Sequence, residues 1–589
     1  MKKLIGIVVI LAALGAAAWF LLGQGPNGAT PALAKTMPTA TTAGLAGVQG
    51  LDQLSKSLLT QIEKIPAEQR KAMGPMAALA DAAERTKMIG FDPATAEGWA
   101  TLGVDPTAGF SVAVDARLLL KGKPLPVLLF KVTDQAKLLA FVEAKAGVKP
   151  TVDESKAPLK ILKINDKPVG YFGVRQGWTA VLMQTPDRVK DLEAAFTTYL
   201  GETTGDLANN AAFKQSFGGA KMLQLFGYLN SQAVLGILET IVKAGGLPKT
   251  LPEDGKFYVD LFPGASLWAG GAAGGGRLVA SEKGVELIRK LFAPAKGPAK
   301  FSQFVPAKGY SAMRLSINLK DLFAGIGDAL PPSMAKMKSQ IGMAPMAVAM
   351  IGLNWADLTA AFSGHFVVAG DIGASMAAAK DPNQAKVVAL IGLNDTAKAD
   401  ELVPTLLGLA SKGGGMMAKE GPKPEAIELD GHKGQKLALG PISLVVVRVD
   451  KVLVAGPEAA VKAALAAKKG THLSHKEGVA SLDGDDVIEG IYYDAESLAK
   501  AMATSGDPDA AILTEALKGQ LIAGAVRHDK KGVYWRSEGA GLTSMVGMFA
   551  AIAVPAFTKY IERSKQAERQ MIEMQKKHAE EIKKLEAAP

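Results

Sequence analysis

The chain of 589 residues is 48% hydrophobic and 21% charged, carries a net charge of +10 and contains no cysteine. That balance excludes global disorder, and the lack of thiols excludes disulfides, thiolate metal sites, a cysteine nucleophile and a lipidated N-terminal cysteine. The basic excess is spread along the chain with no dense Lys/Arg block interleaved with aromatics, so no nucleic acid partner is expected.

Met1, Lys2 and Lys3 precede an uncharged run of 19 residues bounded by Leu4 and Leu22, close to the roughly 20 that a helix needs to cross a bilayer. The two lysines favour an N-terminus on the cytoplasmic side. Ala16-x-Ala18 would suit a cleaved signal peptide, but Trp19, Phe20, Leu21 and Leu22 continue the run and favour a signal anchor. Either way the body is expected outside the cytoplasm. Residues 23–44, rich in Gly, Pro, Thr and Ala, read as a flexible linker.

Leu51, Leu54, Leu58, Ile62 and Ile65 line one face of a helix that stops before Pro66, and a second helix covers 76–88. Strands follow at 109–116 and 126–133, then a helix opened by Asp134, whose carboxylate can accept the first free N–H groups. Further strands cover 169–174, 178–184 and 223–229. Thr185-Pro186-Asp187 opens one helix, and another covers 234–242. Stretches 267–272 and 277–281, joined through Gly274-Gly275-Gly276, read as a hairpin.

From about Phe301 the order repeats. The strand ending at Asp134 is answered by one ending at Asp395, Thr185-Pro186-Asp187 by Gly456-Pro457-Glu458, and Gly227-Tyr228-Leu229-Asn230 by Gly490-Ile491-Tyr492-Tyr493. Leu267-Trp268-Ala269-Gly270 is answered by Leu521-Ile522-Ala523-Gly524, all in order and at separations of about 254 to 272 residues. The expected fold is α+β: two tandem copies of a mixed, largely antiparallel sheet with packed helices, flanked by a terminal hydrophobic helix at each end. The expected units are 1–22 (anchor or signal peptide), 23–44 (linker), 45–299 and 300–540 (the two repeats), 541–557 (hydrophobic helix) and 558–589 (charged amphipathic helical tail).

The run 541–557, which contains Leu542 and ends at Phe557, holds 17 uncharged residues at the short limit of a membrane span. Lys559, Arg563 and Lys565 follow it and favour the cytoplasmic side. The sequence Gly547-Met548-Phe549-Ala550-Ala551-Ile552-Ala553-Val554-Pro555-Ala556-Phe557, with Tyr560 and Arg563-Ser564-Lys565, resembles the hydrophobic N-terminal helix of type IV pilins and pseudopilins. Here it lies far from the N-terminus, lacks that family's early glutamate, and has Gly541-Leu542 in place of the Gly-Phe processing site. The resemblance implies a membrane helix able to pack against other helices, pilin-like ones included. The body also loosely resembles duplicated exported proteins of bacteria, a resemblance that implies no activity.

Catalytic spacings are sparse. Ser333-x-x-Lys336 and Ser497-x-x-Lys500 set a lysine one helical turn from a serine, without the other elements that chemistry requires. His472 and His475 can share a face above Asp483, Asp485 and Asp486, but no third histidine stands nearby, so no metal and no cofactor are expected. The Gly-rich stretch 270–276 lacks the lysine of a phosphate loop. Met334, Met337, Met343, Met346 and Met350 crowd one stretch after Pro331-Pro332 and are the candidate ligand-binding residues, set against ordinary core filling. Trp178, Trp268, Trp355 and Trp535 read as core. The sequence thus points to a non-enzymatic scaffold or interaction protein of a bacterial inner membrane with its body in the periplasm. Its expected partners are the membrane and other envelope proteins or pilin-like helices. The alternatives are a carrier or sensor of an apolar or lipid ligand and a component of a pilus-type machinery.

Overall fold

The structure, a computed structural model, describes residues 32–48, 50–51, 81–120, 123–147, 149–183, 190–202, 205–217, 225–243, 251–270, 273–292, 300–371, 385–411, 422–439, 442–476, 479, 482–484, 486–494, 496–497 and 521–539. Ten strands come first: β1 (Thr42–Val48), β2 (Phe110–Leu120), β3 (Lys123–Phe130), β4 (Pro150–Lys156), β5 (Leu159–Ile164), β6 (Lys167–Arg175), β7 (Trp178–Met183), β8 (Leu225–Asn230), β9 (Gly264–Gly270) and β10 (Ala273–Val279). Ten more follow: β11 (Ser311–Ser316), β12 (Phe362–Gly370), β13 (Val387–Leu393), β14 (Glu425–Leu429), β15 (His432–Leu439), β16 (Ile442–Val449), β17 (Val452–Pro457), β18 (Val487–Asp494), β19 (Leu521–Asp529) and β20 (Gly532–Gly539).

The pairings, all antiparallel, link these strands in the order β4-β5-β6-β7-β3-β2-β1-β8-β9-β10, then β20-β19-β18-β11-β12-β13-β17-β16-β15-β14. The expectation of a separate sheet for each copy is therefore corrected: the described strands form one sheet of 20. Its seam is β10 against β20, paired from Ala273–Glu538 to Val279–Gly532. Each would otherwise be an open edge with unpaired N–H and C=O groups, and joining them satisfies both rows. The outer edges, β4 with Asp153, Glu154 and Lys156 and β14 with Glu425 and Glu428, carry the charges that discourage further strand addition.

No terminal hydrophobic helix of the kind expected is found among the described residues. No single helix among the described residues is long and apolar enough to cross a membrane. Runs 4–22 and 541–557 lie outside the described residues, as do the tail 558–589 and the helix expected at 51–65 apart from Leu51. The stretch taken for a linker is packed from Leu33 onward: Leu33, Ala34 and Met37 are buried in the first core, and Thr42 already belongs to β1.

Register decides which side of the sheet is core. Leu45, Ala113, Val127, Leu182, Tyr171 and Ile161 form one buried row across neighbouring strands. The helix Lys190–Gly201 sets Leu192, Phe196 and Tyr199 in the same core, and the helix Ala211–Phe217 brings Phe213 to within 4.8 Å of the Tyr228 ring. Each such side chain contributes about 1.5–3 kcal/mol when fully buried. On the same face of the other ten strands, Val367, Leu390, Val454 and Val447 line up under Val461, Ala464 and Leu465 of the helix Glu458–Lys469.

The helices Gln135–Ala146 and Thr396–Ser411 begin alike. Asp134 accepts from the Lys137 N–H at 3.1 Å, and Asp395 accepts from those of Ala397 and Lys398 at 2.9 and 3.1 Å. Such a cap is worth about 1 kcal/mol. The glycines read as a turn lie inside β10 instead: Gly275 faces the Trp268 ring and Gly276 the Trp535 ring, so the triplet makes room for an indole on each side of the seam.

Candidate functional site: an open apolar sheet face

Among the described residues, helices cover the second face of the sheet only in part. The helix Ser231–Lys243 packs Ala233 and Ile237 near Val114, and the helix Glu282–Phe292 packs Val285 and Ile288 near Val526 and Val533. The helix Thr396–Ser411 packs Ala399, Val403 and Leu407 near Leu453 and Val446. Every large apolar strand residue that remains exposed among the described residues lies on this face: Val174, Leu229, Leu267, Met313, Leu315 and Val368. Leu315, Glu489, Val526, Trp535, Gly276 and Leu267 form one cross-strand row, and Met313 stands opposite Val368 in the next. Val174 joins the face through Thr179, Phe130, Phe110 and Val48.

β11 shows what separates the two faces. It buries Ala312, Arg314 and Ser316 and turns Met313 and Leu315 outward, the reverse of an ordinary half-buried strand. Burying a guanidinium is tolerated only when its donors are used. Arg314 Nη1 donates to the Leu482 carbonyl at 2.7 Å and Nε to Ser316 Oγ at 3.2 Å, while Nη2 lies 3.2 Å from His365 Nδ1 and the guanidinium faces the Phe301 ring at 5.8 Å. Nearby, Ser302 Oγ donates to Asp483. Ser302, Arg314, Ser316 and His365 are all enclosed, so this polar interior supports packing rather than substrate contact.

The methionine cluster lies in the connection between β11 and β12: Met334 ends the short turn Pro332–Met334, Met337 lies in the helix Ala335–Gly342, and Met343 joins this to the helix Ala344–Met350, which carries Met346 and Met350. Core filling is not its role: Met334, Met337, Met343, Met346 and Met350 are 41, 49, 54, 69 and 70% exposed. Polar bonds tie these helices to the body. Ser333 Oγ donates to Asp254 of the helix Leu251–Leu261 at 2.8 Å, and Lys338 Nζ donates to Asp328 at 3.1 Å. Lys290 donates to the other oxygen of Asp328 at 3.0 Å, and chiefly this bond, joined by that of Lys338, holds the carboxyl below the usual range against the opposing effect of burial.

The other sequence candidates are placed apart. Ser333 is engaged by Asp254, and Ser497 lies with its N–H on Asp494 at 2.9 Å, while Lys500 is outside the described residues. His472 and His475 stack at 4.0 Å on the sheet's periphery, and burial, with the second ring, lowers the His472 pKa. Asp483 serves Ser302 and Asp486 serves Arg527 and Tyr534, while Asp485 is outside the described residues. No group of three His, Asp or Glu among the described residues is placed to hold a metal ion. Trp178 and Trp268 are core, Trp355 packs at 4.6 Å on Phe323, and Trp535 belongs to the open face. Leu4, Leu22, Leu542 and Phe557, expected at a membrane, and the basic Lys2, Lys3, Lys559, Arg563 and Lys565, expected beside it, lie outside the described residues.

Sequence reasoning missed the strand residues of the open face. Alternation in 311–316 marks two faces but does not say which one a helix covers. Compared with protein-family models, with curated proteins and with solved structures, the chain matches none.

Proposed function

We propose that this chain is a non-catalytic protein of a bacterial cell envelope that binds acyl chains of lipids on its open sheet face. The observation that carries this is the chemistry of the exposed apolar side chains. Among the exposed large hydrophobics of the described residues only Tyr258 is aromatic, the others being Val, Leu, Ile and Met, and the aromatics of the open face, Phe110, Phe130 and Trp535, are half-buried. Surfaces evolved to grip another folded protein concentrate Trp, Tyr and Arg at their centres. Aliphatic and thioether side chains, by contrast, conform to a flexible hydrocarbon without demanding one geometry. The uncharged runs at 4–22 and 541–557, with their neighbouring lysines and arginine, support a place at the inner membrane with the body on the periplasmic side.

The test is native mass spectrometry of the full chain extracted from membranes in mild detergent. Retained lipid is expected, with occupancy reduced severalfold in the Met313→Lys/Val368→Glu double variant, whose substituted positions are exposed and set opposite charges across the β11–β12 pair, which leaves the thermal midpoint close to that of the parent. A parent protein empty of lipid, or equal occupancy in the variant, would overturn the assignment.

A further inference from the structure

We propose that the methionine-bearing stretch Pro332–Met350, with its short helices Ala335–Gly342 and Ala344–Met350, forms an arm that docks on an anionic bilayer, lying in the boundary between headgroups and acyl chains. This deepens the lipid-binding reading above and rests on it for biological sense, but it fails or stands by a separate observation.

Three features converge. The methionines and Ile351 present their apolar parts to solvent along the whole stretch, while Ser333 and Lys338 hold its base to the body. Pro332–Met350 with Trp355–Ala361 is the one pair among the described helices with the length and apolar composition of a broken membrane segment; it is bent by 85°, and Leu358 and Ala361 of its second helix pack in the body, which leaves Pro332–Met350 to lie along the interface. Charge supplies the third. Between Asp328 and Asp357 there is no acidic residue, and Lys338 is engaged by Asp328, so Lys336 is the cation this stretch offers to a lipid phosphate. A lysine stem can lie along an apolar surface while its ammonium reaches the phosphate. A protein partner or a second copy would also cover methionines, but nothing in an uncharged protein surface requires a long stretch free of acids.

Because the chain has no cysteine, a single introduced one reports on one place. Full-length Met346→Cys, labelled with an environment-sensitive fluorophore, is mixed with vesicles of phosphatidylglycerol and phosphatidylcholine whose acyl chains are brominated either near the carbonyl or near the terminal methyl. Runs 4–22 and 541–557 can bring the chain to vesicles whatever the arm does, so the readout is depth at residue 346, with Lys433→Cys on exposed β15 as the comparison. Expected are a blue shift, quenching strongest with bromine near the carbonyl, and no quenching at position 433. Lys336→Gln or added salt should lower the quenching severalfold. An unchanged spectrum, equal quenching at 346 and 433, strongest quenching at the bilayer centre, or a blue shift that rises with protein concentration without vesicles would each overturn the proposal; the last would assign the arm to a second copy. Quenching at 346 in a protein that retains no lipid by mass spectrometry would sink the acyl-binding reading and leave the arm standing.

Discussion

Arg314 is fully buried while Met313, beside it on β11, is 47% exposed. The hydrogen bonds of Arg314 to Leu482 and Ser316 make the arrangement stable, and the uncovered neighbour gives the sheet its apolar outer face. Arg314→Met would strand the Leu482 carbonyl and is expected to cost about 2–4 kcal/mol. Met313→Gln should change stability by less than about 0.5 kcal/mol. Denaturant midpoints at constant slope decide this, and the reverse ranking would mean that the two faces are wrongly assigned.

Gly276 marks the seam. A Cβ there would stand 2.0 Å from Trp535 Cζ2 and 2.2 Å from the Ser266 carbonyl, whereas a Cβ on Gly227 would meet nothing closer than Leu267 Cβ at 3.9 Å. Gly276→Ala is expected to destabilise by about 1–3 kcal/mol or more, because backbone on β9 cannot yield. Gly227→Ala should be close to neutral. Calorimetric midpoints of the two variants test this, and equal midpoints would argue against β10–β20 pairing as the join between the two sets of strands.

Arg175 does for the chain entry what Arg314 does for β11. It is wholly buried, donates to the Thr36 carbonyl from Nη2 at 2.6 Å and from Nε at 3.2 Å, donates to the Tyr199 carbonyl, and stacks 4.5 Å from the Tyr199 ring. Lysine cannot reproduce that fork. Arg175→Lys is expected to cost about 3 kcal/mol, and to loosen the short turn Ala32–Thr36 first. Limited proteolysis near Met37 should therefore speed up before global unfolding does; unaltered cleavage would show that the turn is held by Leu33 and Met37 packing alone.

His528 sits on the open face near the seam. Burial, with Arg289, lowers its pKa, while Asp486 and Asp529 act the other way. Its Nε2 is buried without a hydrogen-bond partner among the described residues. A base whose folded pKa is depressed takes its proton first in the unfolded chain. The associated stability is therefore complete above the ordinary value of 6.5 and falls as pH drops through it toward the folded value. The melting midpoint should decline between about pH 7 and pH 5 more steeply in the parent than in His528→Gln. Parallel curves would remove His528 from the account.

Local chemistry was legible and long-range partnership was not. Asp134 and Asp395 announce helix starts because a cap needs only its next three residues. β4, β5, β14 and β15 escaped notice because the edge strands β4 and β14 carry charges in place of apolar alternation. Their turns were nonetheless written plainly: Asn165-Asp166 and Asp430-Gly431 adopt positive φ at both positions, as tight hairpins require. Gly274-Gly275-Gly276 looked like a turn since the indole that needs Gly276 arrives from β20, far along the chain. The methionines were visible as a cluster, but their exposure depends on Ser333 and Lys338 finding Asp254 and Asp328. A single sequence does not disclose such pairings.

Photo-crosslinking in living cells tests the central claim most directly. A benzophenone side chain placed at Val368 or Leu267 of the full chain is expected to yield an adduct whose added mass is that of an acyl lipid, with none at Ala466, exposed on the helix Glu458–Lys469 that covers the other face. Adducts to a polypeptide at both positions, or no adduct above that at Ala466, would contradict the assignment of the open face to lipid.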